Sequence, residues 1–143
     1  MARSMSTSEW HDFVRAMPAR TAILAVVRKN GQPFAAPVWV DLDGDDVVFT
    51  TARDTIKGKA IRRDPRVCLT FDDERPPFSF VIVEGTATVV DDADHLLRWA
   101  TRIAGRYMGT DRADEYGRRN AVPEELLVRV TPTRVVAQAG ISD

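Results

Sequence analysis

The sequence predicts a mainly β chain with helical additions (α+β), a six-stranded antiparallel barrel in one domain over residues 1–143. Three observations carry this. Short β-branched and apolar runs recur along the chain, a spacing that suits a sandwich or barrel. The first of them are joined by tight turns at Asn30-Gly31 and Asp43-Gly44-Asp45, which fit antiparallel neighbours and leave no room for a parallel crossover. Helical periodicity is confined to a few stretches, the longest reaching from about Asp92 to Met108, enough to flank a sheet but not to alternate with its strands.

The elements follow in order. Ser6 to Met17 is predicted as a helix, because Ser6 and Glu9 have capping-box spacing and Trp10, Phe13, Val14 and Met17 fall on one face; Pro18 ends it. Thr21–Arg28 and Pro33–Asp41 are predicted strands around the Asn-Gly hairpin, and Asp46–Thr51 is a third, giving an antiparallel meander. Thr55 to Arg63 has modest helical character and is stopped by Asp64-Pro65. Val67–Phe71 and the long Phe78–Val90 are the next strands, with Gly85 marking a bulge or bend. Asp91 or Asp92 caps the long helix, whose stripe is Leu96, Leu97, Ala100, Ile103, Ala104 and Tyr107, with Arg98, Arg102 and Arg106 elsewhere around it. A short charged helix at Asp111–Asn120 precedes a last strand, Leu126–Ala139, bent near Pro132.

Composition narrows the function. A chain of 143 residues can bury a core without disulfides or a structural metal. A net charge of −1 is unlike a dedicated nucleic-acid module. The single cysteine, Cys68, lies in a strand-like run and reads as an inert buried thiol. No apolar run has the length of a signal sequence or membrane span, so a soluble, cytoplasmic protein is expected. His11 and His95, the only histidines, lie in separate helical stretches with no cysteine pair, and no zinc site is expected. Nucleophile-elbow and phosphate-loop glycine motifs are missing. Any redox chemistry would rest on a borrowed cofactor.

The segment TARDTIKGKAIRRDPRV, Thr51 to Val67, stands out. It holds six cations, Arg53, Lys57, Lys59, Arg62, Arg63 and Arg66, against two acids, Asp54 and Asp64. One reading is a solvated charged face with Arg62 and Arg66 around Asp64. A second is a nucleic-acid patch, but no aromatic platform is interleaved. A third is an anion site: Thr50 and Thr51 end a strand, a helix begins, and Gly58 lets a ligand approach the backbone. Lys57 and Lys59 splay to different sides of that helix. Charge alone does not separate the first reading from the third.

The order of motifs does. RKNGQPFAAPVWV, VVFTTARDTIKGKAIRRDPRVCLTF, PPFSFVIVEGTATVV and a helix ending GRYMGTD together resemble the pyridoxamine 5'-phosphate oxidase-like FMN-binding split β-barrel superfamily. Within it, the chain is similar to the flavin/deazaflavin oxidoreductases of actinobacteria that use coenzyme F420. The resemblance runs from about Trp10 to Ala139 and implies a six-stranded split β-barrel and a homodimer with cofactor sites at the interface. It implies that Pro37, Val38 and Trp39 line the ring and that Thr50 and Thr51 bond the ribityl or phosphate region. Lys57, Gly58 and Lys59 would hold the phosphate and any glutamate tail. Phe78 and Phe80 would come from the partner. The implied activity is hydride transfer from reduced F420 to an electron-poor small molecule such as a conjugated carbonyl, quinone or tetrapyrrole. An FMN enzyme of the same fold, or a flavin or haem carrier without turnover, are the alternatives. Relatives carry Asn where this chain has Ala60, and the long C-terminal portion of authentic pyridoxamine phosphate oxidases is absent, which argues against pyridoxal phosphate synthesis. Tyr107, Tyr116 and Asp111 are conceivable proton donors.

Overall fold

The computed structural model describes residues 2–143 and holds one mainly antiparallel sheet, curled into a half-barrel and flanked by four α-helices. The strands are β1 (Arg3–Ser4), β2 (Ala22–Val27), β3 (Pro33–Val38), β4 (Val40–Asp43), β5 (Asp46–Ala52), β6 (Arg66–Asp73), β7 (Ser79–Val90) and β8 (Glu125–Ala139). The helices are α1 (Thr7–Arg15), α2 (Ile56–Arg63), α3 (Ala93–Met108) and α4 (Ala113–Asn120).

The described residues form eight strands rather than six. Arg3–Ser4 pairs with the end of β8, too short a strand to leave a periodic signal. The other addition decides the shape. The run Pro33–Asp41 is not one strand: it breaks at Trp39 into β3 and β4. Along the sheet the order is β3-β2-β6-β7-β8-β5-β4, so these two chain neighbours form its opposite edges. A single residue spans at most about 7–8 Å between its neighbours' Cα atoms. The two edges must therefore meet at Trp39, and the sheet curls closed there. The meander expected for the first three strands is replaced by this closure.

Local signals explain most elements. Ser6 accepts from the Glu9 amide while Glu9 returns a bond to the Ser6 amide, the reciprocal cap its spacing predicts. The Asn30-Gly31 turn is wider than a two-residue hairpin: only Gly31 takes positive φ, and the Asn30 side chain accepts from the Gln32 amide instead. Gly44, at φ 60, makes the tight β4–β5 turn. Asp92 caps α3 by accepting from the amides of Asp94 and His95. The ladder of β7 on β8 shifts register at Glu84/Gly85, opposite Pro132. A Cβ at Gly85 would sit 2.6 Å from the Thr131 carbonyl oxygen, so the bulge needs glycine.

The core fills the curl, from Leu24, Val26 and Leu69 to Phe49, Phe71, Val81, Val83 and Val128. On the other side of β5 and β8, Val48 and Leu127 pack on Trp99 of α3. Trp99 is buried and Leu97 exposed, so the α3 stripe is rotated from the expected one. Arg106 also turns inward: it donates to the Val14 carbonyl at 2.9 Å and to the Val40 carbonyl, tying α1 and β4 to α3. Cys68 on β6 is half-buried, and burial pushes its thiol up from the ordinary value. Among the described residues, no helix is long and apolar enough to cross a membrane.

Candidate active site

β4 ends its pairing with β5 at Phe49, so Thr50, Thr51 and Ala52 run on past it. Across the seam stands the edge of β3, where Pro37 lacks the N–H that an inner strand would need. Between these two lips lies an open cleft of about 390 Å³. Pro37, Val38 and Trp39 form one wall and Thr50, Thr51 and Ala52 the other. Ala100 and Ile103 of α3, Thr55 and Lys57 at the start of α2, and Asn120 and Glu125 complete it.

Trp39 is not core. It is 40% exposed and lies flat on Tyr107, with centroids 4.8 Å apart and ring planes 1° from parallel. Tyr107 is itself fixed: its hydroxyl donates to the Arg20 carbonyl at 2.6 Å and accepts from the Val40 amide at 3.1 Å. The indole is thus a rigid apolar plate at the point where the barrel closes.

The opposite end is polar. Thr55 caps α2, accepting from the Gly58 amide, and gives its own proton to the Ala52 carbonyl at 2.7 Å. Its contact with Thr51, at 3.4 Å, then has Thr51 as the donor. The Glu125 carboxylate is half-buried, and the Thr50 hydroxyl and the Lys57 ammonium both act to lower its pKa. Burial is the largest influence on Glu125 and raises its pKa above the ordinary value; Thr50 and Lys57 pull the other way.

Six of the residues expected at the site meet in this cleft: Pro37, Val38, Trp39, Thr50, Thr51 and Lys57. Gly58 does not offer its backbone to a ligand. It is buried, and a Cβ there would lie 2.3 Å from the Ala52 carbonyl oxygen and 2.7 Å from that of Arg53. Its role is to let α2 pack on the end of β5. Lys59 faces away from the cleft, in a shallow surface with Arg28, Lys29, Ile56 and Arg63. Phe78 and Phe80 lie at the far end of β7, where Phe80 pairs with Gln138 and the Phe78 carbonyl accepts from the Ile141 amide. Within one chain they do not reach the cleft.

The arginines of the basic segment are largely committed to the protein. Arg62 donates to the Gly58 and Arg53 carbonyls, and Arg63 to the Val27 carbonyl. Arg66 pairs with Asp64 at 2.7 Å and holds that carboxyl down at about 2. Among the described residues, Lys57 is the one cation lining the cleft. Glu125 was missed by the sequence reading, which began the last strand at Leu126. An acid just before a β-branched run looks like any solvated strand end, and only the ladder to Ala52 puts it beside Thr50.

The model for pyridoxamine 5'-phosphate oxidase matches residues 6–139. The chain belongs to the pyridoxamine 5'-phosphate oxidase family. Its family fold recurs in solved structures. One is the conserved hypothetical protein Rv2991 from Mycobacterium tuberculosis, 28% identical, with a TM-score of 0.81 over 93% of this chain and 84% of that one. Another is an F420 reductase, 23% identical, TM-score 0.63, covering 81% and 88%. A third is HutZ, the haem storage protein from Vibrio cholerae, 14% identical, TM-score 0.74, covering 96% and 98%. The last two share the fold at an identity too low to carry more. No curated protein matches the chain.

The cleft suits the flavin-type cofactors of this family. A flat apolar plate stands at one end, and an ammonium, a hydroxyl and a helix start stand at the other. A ring with an anionic tail needs that division.

Proposed function

We propose that the chain is a coenzyme F420-dependent oxidoreductase. The observation that carries this reading is the cleft itself, with Trp39 and Lys57 at its apolar and cationic ends. Pro37, Val38, Trp39, Ala100 and Ile103 would hold the ring; Lys57 and the Thr50 hydroxyl would hold the phosphate. Bound there, the reduced deazaflavin supplies a hydride to an electron-poor small molecule. The protein's share is to fix the ring between rigid walls and keep water from one face. Ala100 and Ile103, buried on α3, and Trp39, held at the β3–β4 break by its stack on Tyr107, do this.

F420 is favoured over FMN by the surface beyond the cleft. Lys57 and Lys59 share α2, and Lys59 opens onto Arg28, Lys29 and Arg63. A long anionic tail would have to turn round the start of α2 to meet these cations, whereas the short phosphate of FMN needs Lys57 alone. FMN is the second reading, favoured by Lys57 being the single cation among the described cleft residues. A haem carrier fits less well, since the described cleft lining has no His, Cys, Met or Tyr to ligate iron.

The test is a paired fluorescence titration with F420 and FMN, on the parent and on Lys59→Ala. Tighter F420 binding that Lys59→Ala weakens, with FMN unaffected, is the expected result. A preference for FMN indifferent to Lys59 would move the chemistry to flavin. Binding of neither would return the basic segment to a solvated face.

A further inference from the structure

We propose that Arg106, with its buried partner Asp41, is a positioning residue for the cofactor ring: it sets the Trp39 plate and acts on the ligand only through that indole. The identity of the ligand rests on the function proposed above; the setting of Trp39 does not.

Trp39 belongs to neither ladder at the seam. Val38 pairs with Ala22 on one side of it, and Val40 pairs with Phe49 on the other. Among the described strands β4 pairs with β5 alone, so the outer edge of Val40 has no strand beside it. Two consecutive side chains of α3 take that place. The Tyr107 hydroxyl accepts from the Val40 amide, and the Arg106 guanidinium donates to the Val40 carbonyl. Both backbone groups of the residue after Trp39 are therefore held from α3. A second nitrogen of Arg106 donates to the Val14 carbonyl at 2.9 Å, which fixes the guanidinium against α1. The same guanidinium lies 5.5 Å from the centroid of Tyr107, the ring on which Trp39 is stacked. Arg106 thus supports the plate twice, through the backbone and through the ring behind it.

Asp41 completes the arrangement. It is buried, and its Oδ1 accepts from the Leu42 amide at 2.8 Å and stands 3.8 Å from Arg106 Nη1. Its Oδ2 lies 3.6 Å from Nε of Arg102, which is half-exposed. A buried ion pair is seldom a net source of stability, because both ions lose their water. What it supplies here is direction. A planar guanidinium set against a fixed carboxylate has its donors pre-arranged for two carbonyls at once, which a flexible ammonium does not. The residue so directed is the exposed aromatic wall of the cleft.

Arg106→Lys in the full chain tests this, since it keeps the charge and loses the fork. Acrylamide quenching of tryptophan fluorescence reads the plate directly, because Trp10 and Trp99 are buried and Trp39 is exposed. The quenching constant is expected to rise about 1.5-fold as the indole leaves its stack. Affinity for FMN and F420 should fall about tenfold, within the range for residues that act through one another. That loss should vanish in a Trp39→Ala background and persist in full in a Lys57→Ala background. A residue that only stabilised the fold would lower the melting temperature and weaken binding equally in every background. If Arg106→Lys does not fold, Asp41→Asn, which keeps an acceptor for the Leu42 amide, carries the test with the same expectations. Unchanged quenching, or an equal loss of affinity with and without Trp39, overturns the proposal. If the parent binds neither cofactor, the proposed function falls and quenching alone decides: a rise upholds the setting of Trp39 by Arg106, and no rise overturns it.

Discussion

Glu125 holds its proton more firmly in the folded chain than an ordinary carboxyl does, because burial outweighs the influence of the Thr50 hydroxyl and the Lys57 charge. A carboxyl raised in this way contributes stability that is complete below its unfolded value and is lost as pH rises through its folded value. The window therefore opens just above the ordinary 4.5. Glu125→Gln should remove that part of the fall in melting temperature as pH rises, which a series of melts from about pH 4 to 7 will show. The same group couples to ligand. An anion held by Lys57 screens the ammonium and brings a like charge near Glu125, raising it further. Lys57 favours its ionised form. FMN and F420 affinity should therefore fall as pH rises from about 5 to 8. Glu125→Gln should bind them more tightly at neutral pH and flatten the profile; an unaltered profile would remove Glu125 from the site.

Two elements set the cleft's dimensions, α2 against β5 and α3 against the closure. Gly58 sets the first. Ala at this position has no space before the carbonyls of Ala52 and Arg53, so Gly58→Ala should cost about 1–3 kcal/mol, the usual range for overpacking. It should also weaken FMN and F420 binding by displacing Lys57; a melt and a titration check both. Tyr107 sets the second. Tyr107→Phe leaves the Val40 amide and the Arg20 carbonyl without the hydroxyl between them, at about 1–3 kcal/mol. Its hydroxyl already donates within the protein, so the shape of any pH–rate profile should survive the substitution. The helices were legible because their caps are local: Ser6 with Glu9, Thr55, Asp92. The break at Trp39 was not, because PFAAPVWVD reads as unbroken strand and only the pairing of distant edges interrupts it. Trp99 and Arg106 escaped for a related reason, since the face α3 buries is chosen by β5 and β8.

For the whole molecule, the sequence showed the fold class and the cleft's two lips, while the reach of each cation was decided by tertiary contacts. Arg62 and Arg63 answer carbonyls brought to them by the fold, leaving Lys57 to the cleft. Phe78, with φ 62, and Ile141 expose apolar surface at the far end of β7, and Ile23 exposes more on β2. A second copy covering such surface is the proposed assembly, and it is the route by which Phe78 and Phe80 would reach a cleft. Sedimentation at micromolar concentration should give twice the chain mass; a monomer would leave each cleft with one chain's residues alone. The central claim is that Lys57 anchors an anionic redox cofactor in the seam of the barrel. It is tested most directly by titrating F420 into the parent and Lys57→Ala and following ligand fluorescence. A loss of about 1.5–3 kcal/mol, roughly ten- to a hundredfold in affinity, is expected for a charged hydrogen bond. Equal affinity in the two proteins would contradict the account and place the anion elsewhere.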